Sequence, residues 1–139
     1  MVIVEYEQAF AYTHDETGTR RARLTLRLSN PNDPGRAIDV DAFLDSGAER
    51  SLLNGWIGRQ IGIDILDGPR LRYEPTAGNA FEAALHPVRI EHPDLGAWTL
   101  TIGFSLSPIR RCLLGRDFFN LVQIGFREHH LTFFVSPRP

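Results

Sequence analysis

The sequence predicts an all-β domain, a barrel or sandwich with little helix. Three observations carry that expectation. Apolar residues recur at every second position through several short runs. Turn signals rich in Gly, Pro, Asn and Asp separate those runs at regular spacing. The chain has 139 residues, 42% of them hydrophobic, which suits one domain with one core.

The clearest run is residues 21–28, where Ala22, Leu24, Leu26 and Leu28 alternate with polar residues. A half-buried strand has this period. Asn30-Pro-Asn-Asp-Pro-Gly35 is a turn. Ile38, Val40, Ala42 and Leu44 then alternate with Asp39, Asp41, Phe43 and Asp45, so a hairpin is expected, with Asp45 closing its second strand. Residues 51–61 carry an approximate helical stripe, with Ser51 as N-cap; Gly55 and Gly58 predict a short or irregular helix. After the turn Asp67-Gly68-Pro69, strands are expected at 71–74 and 81–90, flanking a hairpin tip without bulky side chains at 76–79. Trp98, Leu100, Ile102 and Phe104 mark a further strand, and 111–114 a short one. One or two helical turns capped by Asp117 are expected over 117–121. Final strands at 123–126 and 131–135 flank the turn 127–130, and the tail 136–139 is expected to fray. There is no internal repeat and no linker.

Composition narrows the function. The net charge of −2 gives no basic excess for nucleic acid or an anionic membrane, although every one of the 15 cationic residues is Arg. A single cysteine, Cys112, excludes an internal disulfide; it sits in an apolar run and reads as a buried thiol, not a nucleophile. The first ten residues lack a basic n-region, and no apolar stretch approaches the roughly 18 residues of a membrane helix. A soluble, cytoplasmic protein is expected. The histidines 14, 86, 92, 129 and 130 have no zinc-site spacing, and Gly55-x-x-Gly58 lacks the strand and Lys of a phosphate loop, so neither metal nor cofactor is expected. Asp39 and Asp41 read as the solvated face of their strand. The two Trp and the paired phenylalanines 118–119 and 133–134 read as core or interface.

The stretch that carries chemistry is Ala42-Phe-Leu-Asp-Ser-Gly-Ala48. An apolar strand runs into a carboxylate, and Gly47 permits a tight turn that aims backbone N–H groups at it. One carboxylate alone is a poor hydrolase. Two that share a proton supply an acid and a base together, because like charges a few Å apart cannot both ionise.

This segment resembles the hydrophobic–Asp-Thr/Ser-Gly-Ala signature of aspartic proteases. Leu113-Leu-Gly-Arg-Asp-Phe-Phe119 resembles the two-hydrophobics-then-Gly segment of the single-lobe, retroviral-type (retropepsin-like) enzymes. Both occur in order, and the resemblance spans about residues 20–135 of a single domain, 1–139. It implies a retropepsin-like closed β-barrel lobe with one or two short helices. It further implies Asp45 as the catalytic acid, supported by Ser46, Gly47, Ala48 and Gly115. An internal ion pair of Glu49 with Arg116 and a flap of Tyr73, Thr76, Ala77, Gly78 and Asn79 follow as well. With one Asp-Ser-Gly per chain, the dyad requires a homodimer, whose interface is expected at Val2–Val4 and 131–135. The implied reaction is endopeptidase hydrolysis of a peptide or protein. The alternative is a dimeric module that keeps the fold and cleaves nothing.

Overall fold

The computed structural model describes residues 1–137. The β4 strand (Arg23–Asn30) and β5 (Asp33–Leu44) form the first long hairpin, with Leu24 opposite Ala42, Leu26 opposite Val40 and Leu28 opposite Ile38. Leu24, Leu26, Leu28, Val40 and Ala42 are buried, whereas Asp39 and Asp41 face solvent, as period-2 patterning demands. A second hairpin joins β8 (Phe81–His92) to β9 (Gly96–Ser105). Shorter strands complete this seven-stranded sheet: β6 (Leu52–Asn54), β7 (Arg70–Tyr73) and β10 (Cys112–Leu114). The order is β4-β5-β10-β6-β9-β8-β7, and β4 also pairs with β8, so the hydrogen-bonded order returns to its start. Two pairs are parallel, β10 with β5 and β6 with β9.

A three-stranded sheet places β12 (Thr132–Ser136) between β1 (Gln8–Ala11) and β11 (Gln123–Arg127). A small hairpin of β2 (Thr13–His14) and β3 (Arg20–Arg21) stands beside them. One core serves the whole, with Phe104, Phe118, Phe133, Ile61 and Ile102 fully buried. Trp98 meets Phe118 edge-on at 5.6 Å, whereas Trp56 is 49% exposed and belongs to no core. Among the described residues no helix is long and apolar enough to cross a membrane.

Four expectations need correction. The helix expected over 51–61 covers only α1, Gly55–Gln60; residues 52–54 are strand β6, and Asn54 precedes the helix without a side-chain cap. Leu52 and Leu53 are both buried in the sheet, and pairing with β9 and β10 outweighs the weak helical stripe. The second helix, α2, is Arg116–Phe119, so Asp117 lies inside it and Gly115 stands before it. Residues 131–135 leave no open sheet edge, because β12 is central and Phe133 and Val135 are fully buried. Ser136 belongs to β12 and is buried, while residues 138–139 of the expected frayed tail lie outside the described residues.

Candidate active site

Asp45 stands at the point where β5 and β10 both end. Its backbone N–H donates to the Leu114 carbonyl at 2.9 Å, which continues the parallel pairing by one bond. The chain then turns. The Ala48 N–H donates to the Asp45 carbonyl at 3.2 Å, and the Gly47 N–H donates to Asp45 Oδ1 at 2.9 Å. A Cβ at position 47 would lie 3.2 Å from that same oxygen, so Gly47 lets the backbone approach the carboxylate. Asp45 is half-buried, and Oδ2 has no hydrogen-bond partner among the described residues. The Ser46 side chain is exposed and its hydroxyl makes no hydrogen bond among the described residues.

The second motif locks onto this turn through backbone. Arg116 N–H donates to the Ala48 carbonyl at 2.8 Å and Asp117 N–H to the Glu49 carbonyl at 3.3 Å. Gly115 is buried, and a Cβ there would fall 2.6 Å from the Ala48 carbonyl oxygen. Only glycine permits that crossing. The ion pair expected between Glu49 and Arg116 is not formed: both side chains are exposed, and they do not come within 4 Å. Its place as the side-chain tie between the two motifs is taken by Ser51 and Asp117. Ser51 donates to Asp117 through its N–H at 2.9 Å and its hydroxyl at 2.7 Å, and that hydroxyl accepts the Gly115 N–H at 3.0 Å. Ser51 is fully buried and its polar atoms are met.

The expected flap is the β7–β8 hairpin. Residues 74–80 are all exposed, and Gly78 takes φ 97°, a left-handed conformation that suits glycine. Tyr73 lies below the tip. It stacks on Phe81 with ring centroids 5.4 Å apart, and its hydroxyl donates to the Ser51 carbonyl at 3.4 Å. Burial is the main cause that pushes its hydroxyl pKa up to about 12. A cavity of about 380 Å³ opens beside Asp45 and Ser46; Thr76–Asn79 is not part of its lining.

Two residues with no local sequence signal also border this cavity or brace it. Asp15 has a fully buried carboxylate, and Arg111 reaches it at 3.3 Å from 96 positions away. The Thr17 hydroxyl at 2.6 Å, aided by the amides of Thr17 and Thr19 and by Arg21, holds the Asp15 carboxyl well below the usual carboxylate range. Among the described residues no group of three or more His, Cys, Asp or Glu side chains is placed to hold a metal ion.

Neither a family model nor a curated protein matches the chain. Solved structures do. A retropepsin-like aspartic protease from Rickettsia conorii superposes with a TM-score of 0.63 at 15% identity, covering 96% of this chain and 97% of that one. The EIAV protease, complexed with the inhibitor HBY-793, gives 0.49 at 19% identity over 73% and 86% of the two chains. The retroviral protease-like domain of Ddi1 from Leishmania major gives 0.46 at 19% identity over 86% and 97%. The likeness to the Rickettsia protein, end to end in both chains, defines the fold as that of a retropepsin-like all-β lobe.

Proposed function

We propose that the chain is one half of a homodimeric aspartic endopeptidase. The observation that carries this reading is the state of Asp45. Its backbone is pinned at a strand end, one carboxylate oxygen is held by the Gly47 N–H, and the other is left open beside a cavity. A carboxylate so fixed is pre-organised for proton transfer. The fold shared with a retropepsin-like protease supports the same reading.

A single chain supplies one such group, so a second copy completes the dyad across a two-fold axis. Of the facing pair, one Asp45 is ionised and one protonated. The ionised one takes a proton from a water held between them, and the water oxygen bonds to the peptide carbonyl carbon. The protonated one hydrogen-bonds the carbonyl oxygen as it gains charge. The C–N bond then breaks as the first Asp45 passes the proton it took from water to the amine nitrogen, leaving a carboxylic acid and an amine and returning the pair to its starting state. Ser46, exposed and without a hydrogen-bond partner among the described residues, is free to hydrogen-bond the second copy. The hairpin of Thr76, Ala77, Gly78 and Asn79 covers the bound peptide.

Asp45→Asn tests the reading. It keeps size and hydrogen-bonding capacity but removes the base from both halves. Cleavage of an unstructured protein mixture, followed from acidic to neutral pH at equal dimer concentration, is expected to vanish in the variant while folding persists. Equal cleavage by both forms overturns the assignment of Asp45. A dimer that binds peptide and cuts nothing at any pH identifies the chain as a binding module.

A further inference from the structure

The cavity beside Asp45 is lined by charged groups of both signs. Three guanidinium groups, Arg20, Arg21 and Arg111, stand along it. Two acids line it as well, Asp45 itself and Glu128, and Glu128 already accepts the Tyr12 hydroxyl at 2.5 Å. Arg111 directly precedes β10, whose parallel pairing with β5 sets it next to the strand that ends in Asp45. Its guanidinium carbon lies 4.8 Å from the centroid of the Phe43 ring, which orients the planar group. Arg111 at 3.3 Å and Arg21 at 3.5 Å reach the same oxygen, Asp15 Oδ2. The other oxygen of Asp15 is occupied by Thr17 and Thr19. One buried carboxylate thus anchors two guanidiniums, and each keeps several of its five N–H donors free. The Nε of Arg111 is buried and makes no hydrogen bond among the described residues. Glu16 adds one more acid, 3.7 Å from Arg110 and 3.9 Å from Arg111. Of the three guanidiniums that line the cavity, Arg21 and Arg111 share the Asp15 carboxylate, while Arg110 and Glu16 stand outside the lining. Three guanidiniums against the carboxylates of Asp45 and Glu128 leave the lining a formal excess of one positive charge.

From this we infer that the cavity is a subsite for an acidic side chain of the peptide, adjoining the bond to be cut, and that Arg111 selects it. The inference rests on the peptidase reading of Asp45. A peptide laid across Asp45 in extended form sends a side chain into the cavity. A Glu or Asp there meets the free N–H groups of Arg111 and Arg21 in the fork geometry that carboxylates favour. A Lys or Arg meets the three guanidiniums instead; of the two lining acids, Glu128 is already engaged by Tyr12 and Asp45 holds the catalytic position. Arg111 is pre-organised for this task, because Asp15 and Phe43 fix it before any ligand arrives. In a homodimer the cavity occurs twice, so the preference falls on both sides of the cut.

The test uses an unbiased library of short unstructured peptides, with cleavage sites read by mass spectrometry. On the unmutated protein, Asp and Glu adjoining the cut are expected to be enriched about tenfold over Asn and Gln, as a charge-assisted pair gives. The enrichment should shrink with added salt, since the cavity is open to solvent. Arg111→Gln should lose it, and Arg111→Glu should turn it toward Lys and Arg. If these variants fail to fold, Arg111→Lys retains the charge and should retain the preference without the fork. Cleavage with no acidic enrichment overturns the inference and leaves the peptidase reading standing, as does enrichment that survives in folded Arg111→Gln. If no peptide is cut, fluorescence anisotropy decides with two labelled peptides differing only by Glu or Gln at one central position. Roughly tenfold tighter binding of the Glu peptide, lost in Arg111→Gln, upholds the subsite while the peptidase reading falls. Equal binding of the two peptides overturns the subsite.

Discussion

At the scale of single residues, the site is built from backbone that only certain side chains permit. Gly115 is the sharpest case, because any side chain there would run into the Ala48 carbonyl. Gly115→Ala places a methyl 2.6 Å from that oxygen, and neither neighbour is a flexible side chain that can move aside. We expect a loss of about 1–3 kcal/mol in urea denaturation, as overpacking in a tight site usually costs. Activity should fall further than stability, because the shift passes through Ala48 to the turn that holds Asp45. Asp45, Gly47 and Gly115 are legible in the sequence for a local reason: a carboxylate, a tight turn and a close crossing each select a residue type within a few positions. The pairing of Glu49 with Arg116 is not legible, because an ion pair depends on where two long side chains point. Both point to solvent here, so Arg116→Ala should change stability by less than about 1 kcal/mol. Asp15, bonded to Thr17 and Thr19 of its own turn, reads in the sequence as an ordinary turn acid; only the fold brings Arg111 to it.

At the scale of elements, the alternating strands are legible and the short helices are not. Residues 24–28 and 38–42 alternate cleanly because one face is buried and the other wet, and the alternation ends at Phe43, which is buried as well. Residues 52–54 are buried between two neighbouring strands, so their Leu-Leu pair lacks alternation and mimics a helix start. Ser51 and Asp117 are both residue types that suit a helix cap. Instead they cap each other across 66 positions and join the start of β6 to α2. Ser51→Ala removes the hydroxyl that also receives the Gly115 N–H, leaving a buried donor unmet. A loss of about 1–3 kcal/mol is expected, measured by the denaturation midpoint. The β7–β8 hairpin behaves differently. Residues 74–80 are exposed throughout, while Tyr73 and Phe81 stack beneath them. Amide exchange without ligand should therefore be fast at Gly78 and slow at Ala83 and Ala84, which are buried in paired strands. Strong protection at Gly78 in the free protein contradicts this.

At the scale of the whole molecule, two features bear on stability and on the proposed dimer: a buried carboxylate and an uncovered apolar chain start. Asp15 ties the β2–β3 hairpin to Arg111, and its carboxyl titrates below the ordinary range. A carboxyl depressed in the folded state stabilises it above the unfolded value, about 3.9, and that contribution is lost as pH falls through the folded value. Denaturation midpoints should therefore drop on acidification below about pH 4, and Asp15→Asn should drop less over the same interval. The second feature is the chain's start. Met1, Val2 and Ile3 are 113%, 88% and 77% exposed, and Val4 and Tyr6 are also uncovered. They adjoin β1, which pairs with β12 on one edge and, among the described residues, with no strand on the other. An apolar segment beside an unpaired strand edge is suited to pair with a second copy. Burying Val2, Ile3 and Val4 contributes up to about 1.5–3 kcal/mol for each side chain. A chain lacking residues 1–4 should fold, since none of the buried core lies there. It should dissociate at higher concentration than the full chain in sedimentation runs. Because one chain supplies one Asp45, its cleavage rate per chain should fall in step with the dimer fraction. A strictly monomeric truncated chain that still cuts peptide at the full rate would falsify the shared dyad, and with it the need for a second copy.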